Sequence, residues 1–267
     1  GTFTNDSRAA KLLGIPKLKE EKSFSVSGGF TANFGKFKAT VDGYFIRIDD
    51  RIIYTGQFKG DNSANASEQD KEIYQLLNQV GASSARFFAN AIDTETKGID
   101  AVLTYQDQIG KGNLRVDLAG TFSKTNIVGD VHSSTILAGK ESSYLDRASR
   151  IYIESATPRV KVNLGINYSL DKWSFLVRNV YFGSTDAATN VEADAQTYDP
   201  RIITDLVVGY DLNKNLKLSL GSNNVFDIYP DKNNARNRGA GYFIYSRTGQ
   251  QFGFNGRYVF ARVGLTI

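Results

Sequence analysis

Residues 159–170 alternate strictly. Val160, Val162, Leu164, Ile166, Tyr168 and Leu170 are apolar, whereas Arg159, Lys161, Asn163, Asn167 and Ser169 are polar or basic. A period of two places successive side chains on opposite faces of a β-strand. The pattern recurs along the chain. Phe24, Val26, Gly28, Phe30, Ala32 and Phe34 share one face, the turn Gly35-Lys36 follows, and Phe37, Ala39, Val41, Gly43 and Phe45 return, which reads as a hairpin. Further alternating runs at 97–106, 114–122, 173–183, 202–212, 216–220 and 256–267 bring the expected total to nine strands.

Short turns at Gly35-Lys36, 107–112, Asp171-Lys172 and 213–215 alternate with long polar loops near 55–93, 129–158, 184–200 and 227–255. All the turns therefore lie at one rim and all the loops at the other. Residues 1–22 are polar and irregular and read as the end of another loop, with the strands in 23–267. Within the first long loop, Ile73, Leu76, Leu77 and Val80 fall on one side of a helix expected over 68–80.

Alternation alone also fits a soluble sandwich or small barrel, with the apolar face turned inward. Rim asymmetry and strands of about 10–12 residues favour a membrane barrel instead. The aromatics point the same way: Phe34, Phe37, Tyr105, Tyr168, Trp173 and Tyr210 gather near the short turns, as an interfacial girdle requires. No apolar run approaches the ~20 residues of a spanning helix, so membrane crossing falls to strands. The fold class expected is all-β, a transmembrane antiparallel β-barrel. Its apolar face meets lipid, and Arg115, Asp117, Lys161, Arg178, Asp205 and Arg262 line a wet lumen. An odd arc leaves two unpaired edges in lipid, so partner strands are expected from outside this sequence. Gly1 and the lack of methionine fit that expectation of a processed or truncated piece.

Composition narrows the chemistry. The 267 residues contain no cysteine, which removes disulfides and thiolate chemistry, and a net charge of +4 with mixed signs gives no footprint for nucleic acid. His132, the only histidine, sits in a Ser/Thr-rich loop and reads as solvated. No Ser-His-Asp set or pair of haem-ligating histidines can be built around it. Asp49, Asp50 and Arg51 read as charges at a strand rim in preference to a metal site. No catalytic residues, metal or cofactor are expected, and the chain does not read as an enzyme. In the loop 231–254, Arg236, Arg238, Tyr242, Tyr245 and Arg247 combine paired donors with flat hydroxylated faces. That set suits an anionic, partly aromatic ligand such as a ferric siderophore. The competing reading is a loop that packs on its neighbours and binds nothing.

Three segments carry a resemblance. Residues 50–58 read Asp-Arg-Ile-Ile-Tyr-Thr-Gly-Gln-Phe, and 87–100 read Phe-Phe-Ala-Asn-Ala-Ile-Asp-Thr-Glu-Thr-Lys-Gly-Ile-Asp. Residues 218–230 read Leu-Ser-Leu-Gly-Ser-Asn-Asn-Val-Phe-Asp-Ile-Tyr-Pro. Together they resemble the C-terminal barrel of TonB-dependent outer-membrane receptors, and the tail 251–262 resembles Bacteroidetes-type members. Ile267 departs from the aromatic residue with which outer-membrane proteins usually end.

The family's barrel has about 22 strands around an N-terminal plug. The resemblance thus implies the last nine strands of a plugged barrel in the bacterial outer membrane, with short turns in the periplasm and residue 1 in an extracellular loop. The plug, the segment that contacts TonB and the other strands would lie elsewhere. The lumen residues would then face the plug, and outer-membrane lipid and the TonB complex would be partners. The implied function is active import of a scarce ligand, a ferric siderophore foremost. The alternatives are a passive porin, or a docking barrel for a surface lipoprotein in glycan or peptide uptake.

Overall fold

A computed structural model describes residues 1–266; the strand end expected at Ile267 lies outside them. The strands are β1 (Lys22–Phe34), β2 (Phe37–Tyr54), β3 (Phe88–Ile109), β4 (Gly112–Val128), β5 (Val160–Leu170) and β6 (Trp173–Phe182). A two-stranded ribbon of β7 (Thr185–Asp186) and β8 (Thr197–Tyr198) precedes β9 (Arg201–Asp211), β10 (Leu216–Asn223) and β11 (Tyr258–Leu265). All but the ribbon join one nine-stranded antiparallel sheet in the order β1-β2-β3-β4-β5-β6-β9-β10-β11.

Alternation fixes the two faces, and the register carries them across the whole wall. One lateral row runs Phe34, Phe37, Tyr105, Val116, Ile166, Val177, Leu206, Ser222 and Val259. Ser222 is its one polar member. The row beside it runs Asn33, Lys38, Thr104, Asp117, Gly165, Arg178 and Asp205 on the opposite face. A slip of one residue would exchange these sets, so burying the apolar face pins the register. That face is open to its surroundings: Phe30 is 63% exposed, Leu220 63% and Val263 68%. Apolar exposure this continuous marks a surface made for contact.

The aromatics near the short turns form cross-strand clusters. Phe34 and Phe37 stack with ring centroids 5.6 Å apart, Phe37 and Tyr105 lie at 4.8 Å, and Trp173 and Tyr210 at 4.6 Å. The turns are tight because their first residues reach the left-handed region: Gly35 has φ 60° and Asp171 φ 50°. Glycine does so without strain and aspartate at modest cost.

The buried core lies beyond the wall, at the long-loop rim. Ala9, Ala10, Leu13, Phe58, Ile73, Leu77, Phe87, Leu137 and Tyr144 pack together, and the wall strands add Ile53, Ala89, Ala91 and Ile92. This cap departs from the sequence reading in three ways. The segment 1–22, read as irregular, contains α1 (Arg8–Leu12), whose N-cap Ser7 accepts a hydrogen bond from the Ala10 N–H. A five-residue helix is too short to show a period. Second, β3 begins at Phe88, so the first long loop closes at 87 instead of 93. Third, the loop 129–158 holds α3 (Glu141–Tyr144) and α4 (Arg147–Glu154). The expected helix in the first loop is α2 (Glu68–Asn78), with Ile73 and Leu77 buried.

Candidate functional site: the polar face and the loop cap

All six residues expected to line the lumen share the polar face by register. Four of them form two ion pairs. Arg115 grips Asp117 with a fork, Nε to Oδ2 at 2.6 Å and Nη2 to Oδ1 at 2.8 Å, while Thr104 Oγ1 donates to Oδ1 at 2.7 Å. Arg178 donates to Asp205 through Nε at 2.8 Å and through Nη2, and the Asn224 N–H donates to the other carboxylate oxygen at 2.8 Å. Lys161 and Arg262 rest on aromatic rings instead, 5.1 Å from the Phe182 centroid and 5.5 Å from that of Phe260. Planar forks on carboxylates and cations on ring faces hold these charges flat against the strands. The result is a rigid polar lining that a second body can approach.

The cap is tied together by groups that no periodicity reveals. Phe58 meets Tyr144 edge to face at 4.9 Å. The Tyr144 hydroxyl accepts the Ser134 N–H at 3.0 Å, and Ser134 Oγ donates to the Leu13 carbonyl at 3.0 Å. Lys140 Nζ donates to Asp70 at 2.6 Å, joining the two long loops. That bond, with help from Ser67, holds the Asp70 carboxyl below its ordinary value of 3.8. Glu141 is lowered likewise, first by the Gly139 N–H that it accepts.

Asp50 belongs to a β-bulge between β2 and β3, with φ 56°. Its N–H donates to Asp93 at 2.8 Å, its carbonyl accepts from Asn90 at 2.7 Å, and its carboxylate meets Lys19 at 2.7 Å. This network gives Asp50 a structural role at the rim. His132 lies exposed in its loop, in keeping with the solvated reading, with Nδ1 3.6 Å from Asp50 and Nε2 3.9 Å from Asp93. The sequence holds no signal for that proximity, because the carboxylates come from β2 and β3, far from His132 along the chain.

The five ligand candidates are not brought together on one pocket wall by direct contacts. Arg236 reaches Asp194 at 3.4 Å, Arg238 Nε donates to the Asn233 carbonyl at 3.0 Å, and Arg247 lies 4.1 Å over the Phe243 ring. Tyr245 stacks between Tyr229 at 6.2 Å and Phe254 at 5.5 Å. Tyr242, at 81% exposed, projects outward. The loop is pinned to its neighbour by the Tyr198 hydroxyl, which donates to Asn233 at 2.7 Å, and by Gln251 Nε2, which donates to the Gly183 carbonyl at 2.6 Å. Burial pushes the Tyr198 phenol up. Four of the five candidates thus use their polar or aromatic groups on the protein itself.

Comparison with known proteins agrees with this architecture. Residues 1–225 match the family described as TonB dependent receptor-like, beta-barrel. The FrpB iron transporter from Neisseria meningitidis superposes with a TM-score of 0.58 at 15% identity, over 94% of this chain and 31% of that one. The pyoverdine outer membrane receptor FpvA from Pseudomonas aeruginosa PAO1 gives 0.58 at 15% identity, over 95% and 31%. The copper transporter OprC gives 0.55 at 18%, over 93% and 32%. No curated protein matches. The chain therefore spans about a third of the length of these solved transporters.

A nine-stranded arc with one apolar and one polar face is part of a transmembrane β-barrel. The chain belongs to the TonB-dependent receptor β-barrel family, whose place is the bacterial outer membrane.

Proposed function

We propose that this chain supplies wall and extracellular loops to an active transporter that imports a ferric chelate, a siderophore foremost, across the outer membrane. The observation that carries the reading is the polar row containing Asp117, Arg178 and Asp205, which crosses several strands with its charges held flat. Such a surface suits a folded plug resting against it through salt bridges and water. A passive pore needs no matching body inside.

The long loops, extracellular in this reading, end in a cap with its own hydrophobic core. That core makes the mouth a preformed platform, which lowers the ordering cost of capturing a scarce ligand. Tyr242, Phe243, Ile244 and Phe254 are the large exposed side chains of the loop left to meet it. Energy would arrive through TonB acting on the plug. Similarity to iron and pyoverdine transporters supports an iron cargo, and similarity to a copper transporter keeps the metal a point for experiment.

The test is uptake of a radiolabelled ferric chelate by cells carrying the full-length receptor, with and without TonB. TonB-dependent uptake that disappears on deletion of 239–244 supports the proposal. Uptake that is unchanged without TonB indicates a passive pore and contradicts it.

A further inference from the structure

The outward, apolar face of the wall changes character between two adjacent rows. One row reads Gly28, Gly43, Ile99, Phe122 and Val160. The next, one step nearer the long loops, reads Val26, Phe45, Lys97 and Lys124. Ile99 is 54% exposed and Phe122 49%, so the first row lies against lipid in the outer membrane. A step of two residues along a strand is roughly 6–7 Å, which carries the second row from acyl chains toward headgroups.

Lys97 and Lys124 are direct cross-strand partners on this face, and both are exposed. Like charges in that relation destabilise a sheet unless something lies between them. Their surroundings do not remove the conflict. Lys97 leans the other way, 5.3 Å over the Phe45 ring and 3.2 Å from Glu95, and Glu95 is shared with Arg47 at 3.2 Å. Among the described residues Lys124 has no ion-pair partner, and neither has Lys22 two rows above. On this outward face Lys22, Arg47, Lys97 and Lys124 outnumber Asp49, Asp93 and Glu95 by one, and Arg47 takes up all three carboxylates while Lys124 meets none.

We propose that Lys97 and Lys124 together hold the phosphate of a lipid headgroup in the leaflet on the long-loop side. Phosphate oxygens accept from both ammonium groups and cancel their repulsion, while acyl chains lie along Ile99 and Phe122. The acyl contact argues for a membrane lipid over a free anion, because the patch continues directly into the apolar row. The inference does not depend on the imported ligand, so its failure would leave the transport reading untouched.

The test uses the full-length receptor purified from its own membrane in mild detergent, with co-purified phosphate-bearing lipid measured by native mass spectrometry. The wild type and the Lys97→Arg/Lys124→Arg variant should retain the lipid, as should Lys36→Gln/Lys111→Gln at the opposite rim. Lys97→Gln/Lys124→Gln should lose it by about tenfold or more. Gel mobility before and after heating confirms folding, and Lys124→Gln alone, with a smaller loss, serves if the double variant fails to fold. Unchanged retention in the folded Gln variants overturns the proposal. So does full displacement of the lipid by millimolar inorganic phosphate, which would identify a free-anion site.

Discussion

The Tyr44 ring lies over Gly98, its direct cross-strand partner on the polar face, and fills the place where a side chain at 98 would stand. A Cβ there would overlap Cζ and Oη of the phenol. Gly98 is accordingly buried although it sits in an open wall. Gly98→Val should destabilise the barrel by about 1–3 kcal/mol. Adding Tyr44→Ala should restore part of that loss, because the overlap is removed. The midpoint of heat-induced mobility change in the full-length receptor reads both effects. Equal stability of Gly98→Val and wild type would refute the packing argument.

Asp205 is 5% exposed and accepts from both Arg178 and the Asn224 N–H, whereas the Arg178 side chain is 52% exposed. The two partners therefore differ in what their loss leaves behind. Arg178→Ala removes a half-solvated cation from a carboxylate that keeps one donor. Asp205→Ala leaves a buried N–H unpaired and should cost about 1–3 kcal/mol. The expected order in the thermal midpoint is wild type, then Arg178→Ala, then Asp205→Ala. Equal losses would show that the ion pair itself carries the energy, and the reverse order that the buried Asp205 carboxylate cannot stand without Arg178; either would contradict the argument.

Asp70 and Lys140 join the two largest loops of the cap. Because folding lowers the Asp70 carboxyl from 3.8, its contribution is present above that value and is lost as the pH falls through the folded value. Limited proteolysis of the full-length receptor should find the cap resistant near neutrality and increasingly open below about pH 4. Lys140→Gln should flatten that dependence. A cap equally resistant throughout the acid range would contradict the linkage.

The cap core offers a separate check. Tyr144 and Phe58 are each 1% exposed, and Phe58→Ala should cost the cap about 3–5 kcal/mol. The cost should stay local. Cleavage sites should open in 55–87 and 129–158, while the heat-modifiable mobility of the barrel is retained.

The wall was legible because a period of two needs only a few residues to declare itself, and lipid on one side with water on the other makes every strand obey it. Phe34, Phe37 and Tyr105 fell on one face in the sequence and lie in one row of the structure. The cap was not legible for the opposite reason. Ala9, Ala10 and Leu13 are buried in a cluster drawn mostly from 53–92 and 137–145, and a short helix with three apolar positions has no period of its own. The same holds for the ligand loop. Arg236, Arg238 and Arg247 carry the right chemistry in the sequence, but only the fold reveals that they spend it on Asp194, Asn233 and Phe243. Lys97 and Lys124 lie on consecutive long strands in the sequence, and only register makes them neighbours.

In a barrel wall β5 separates lipid from a wet lumen. Spin labels placed singly at residues 161–167 of the full-length receptor, in native-like bilayers, read it directly. Labels at Val162, Leu164 and Ile166 should be relaxed by oxygen, which concentrates in lipid. Those at Lys161, Asn163 and Asn167 should favour a water-soluble nickel chelate, or be shielded from both by a plug. Equal access of the nickel chelate to both sets would contradict the account.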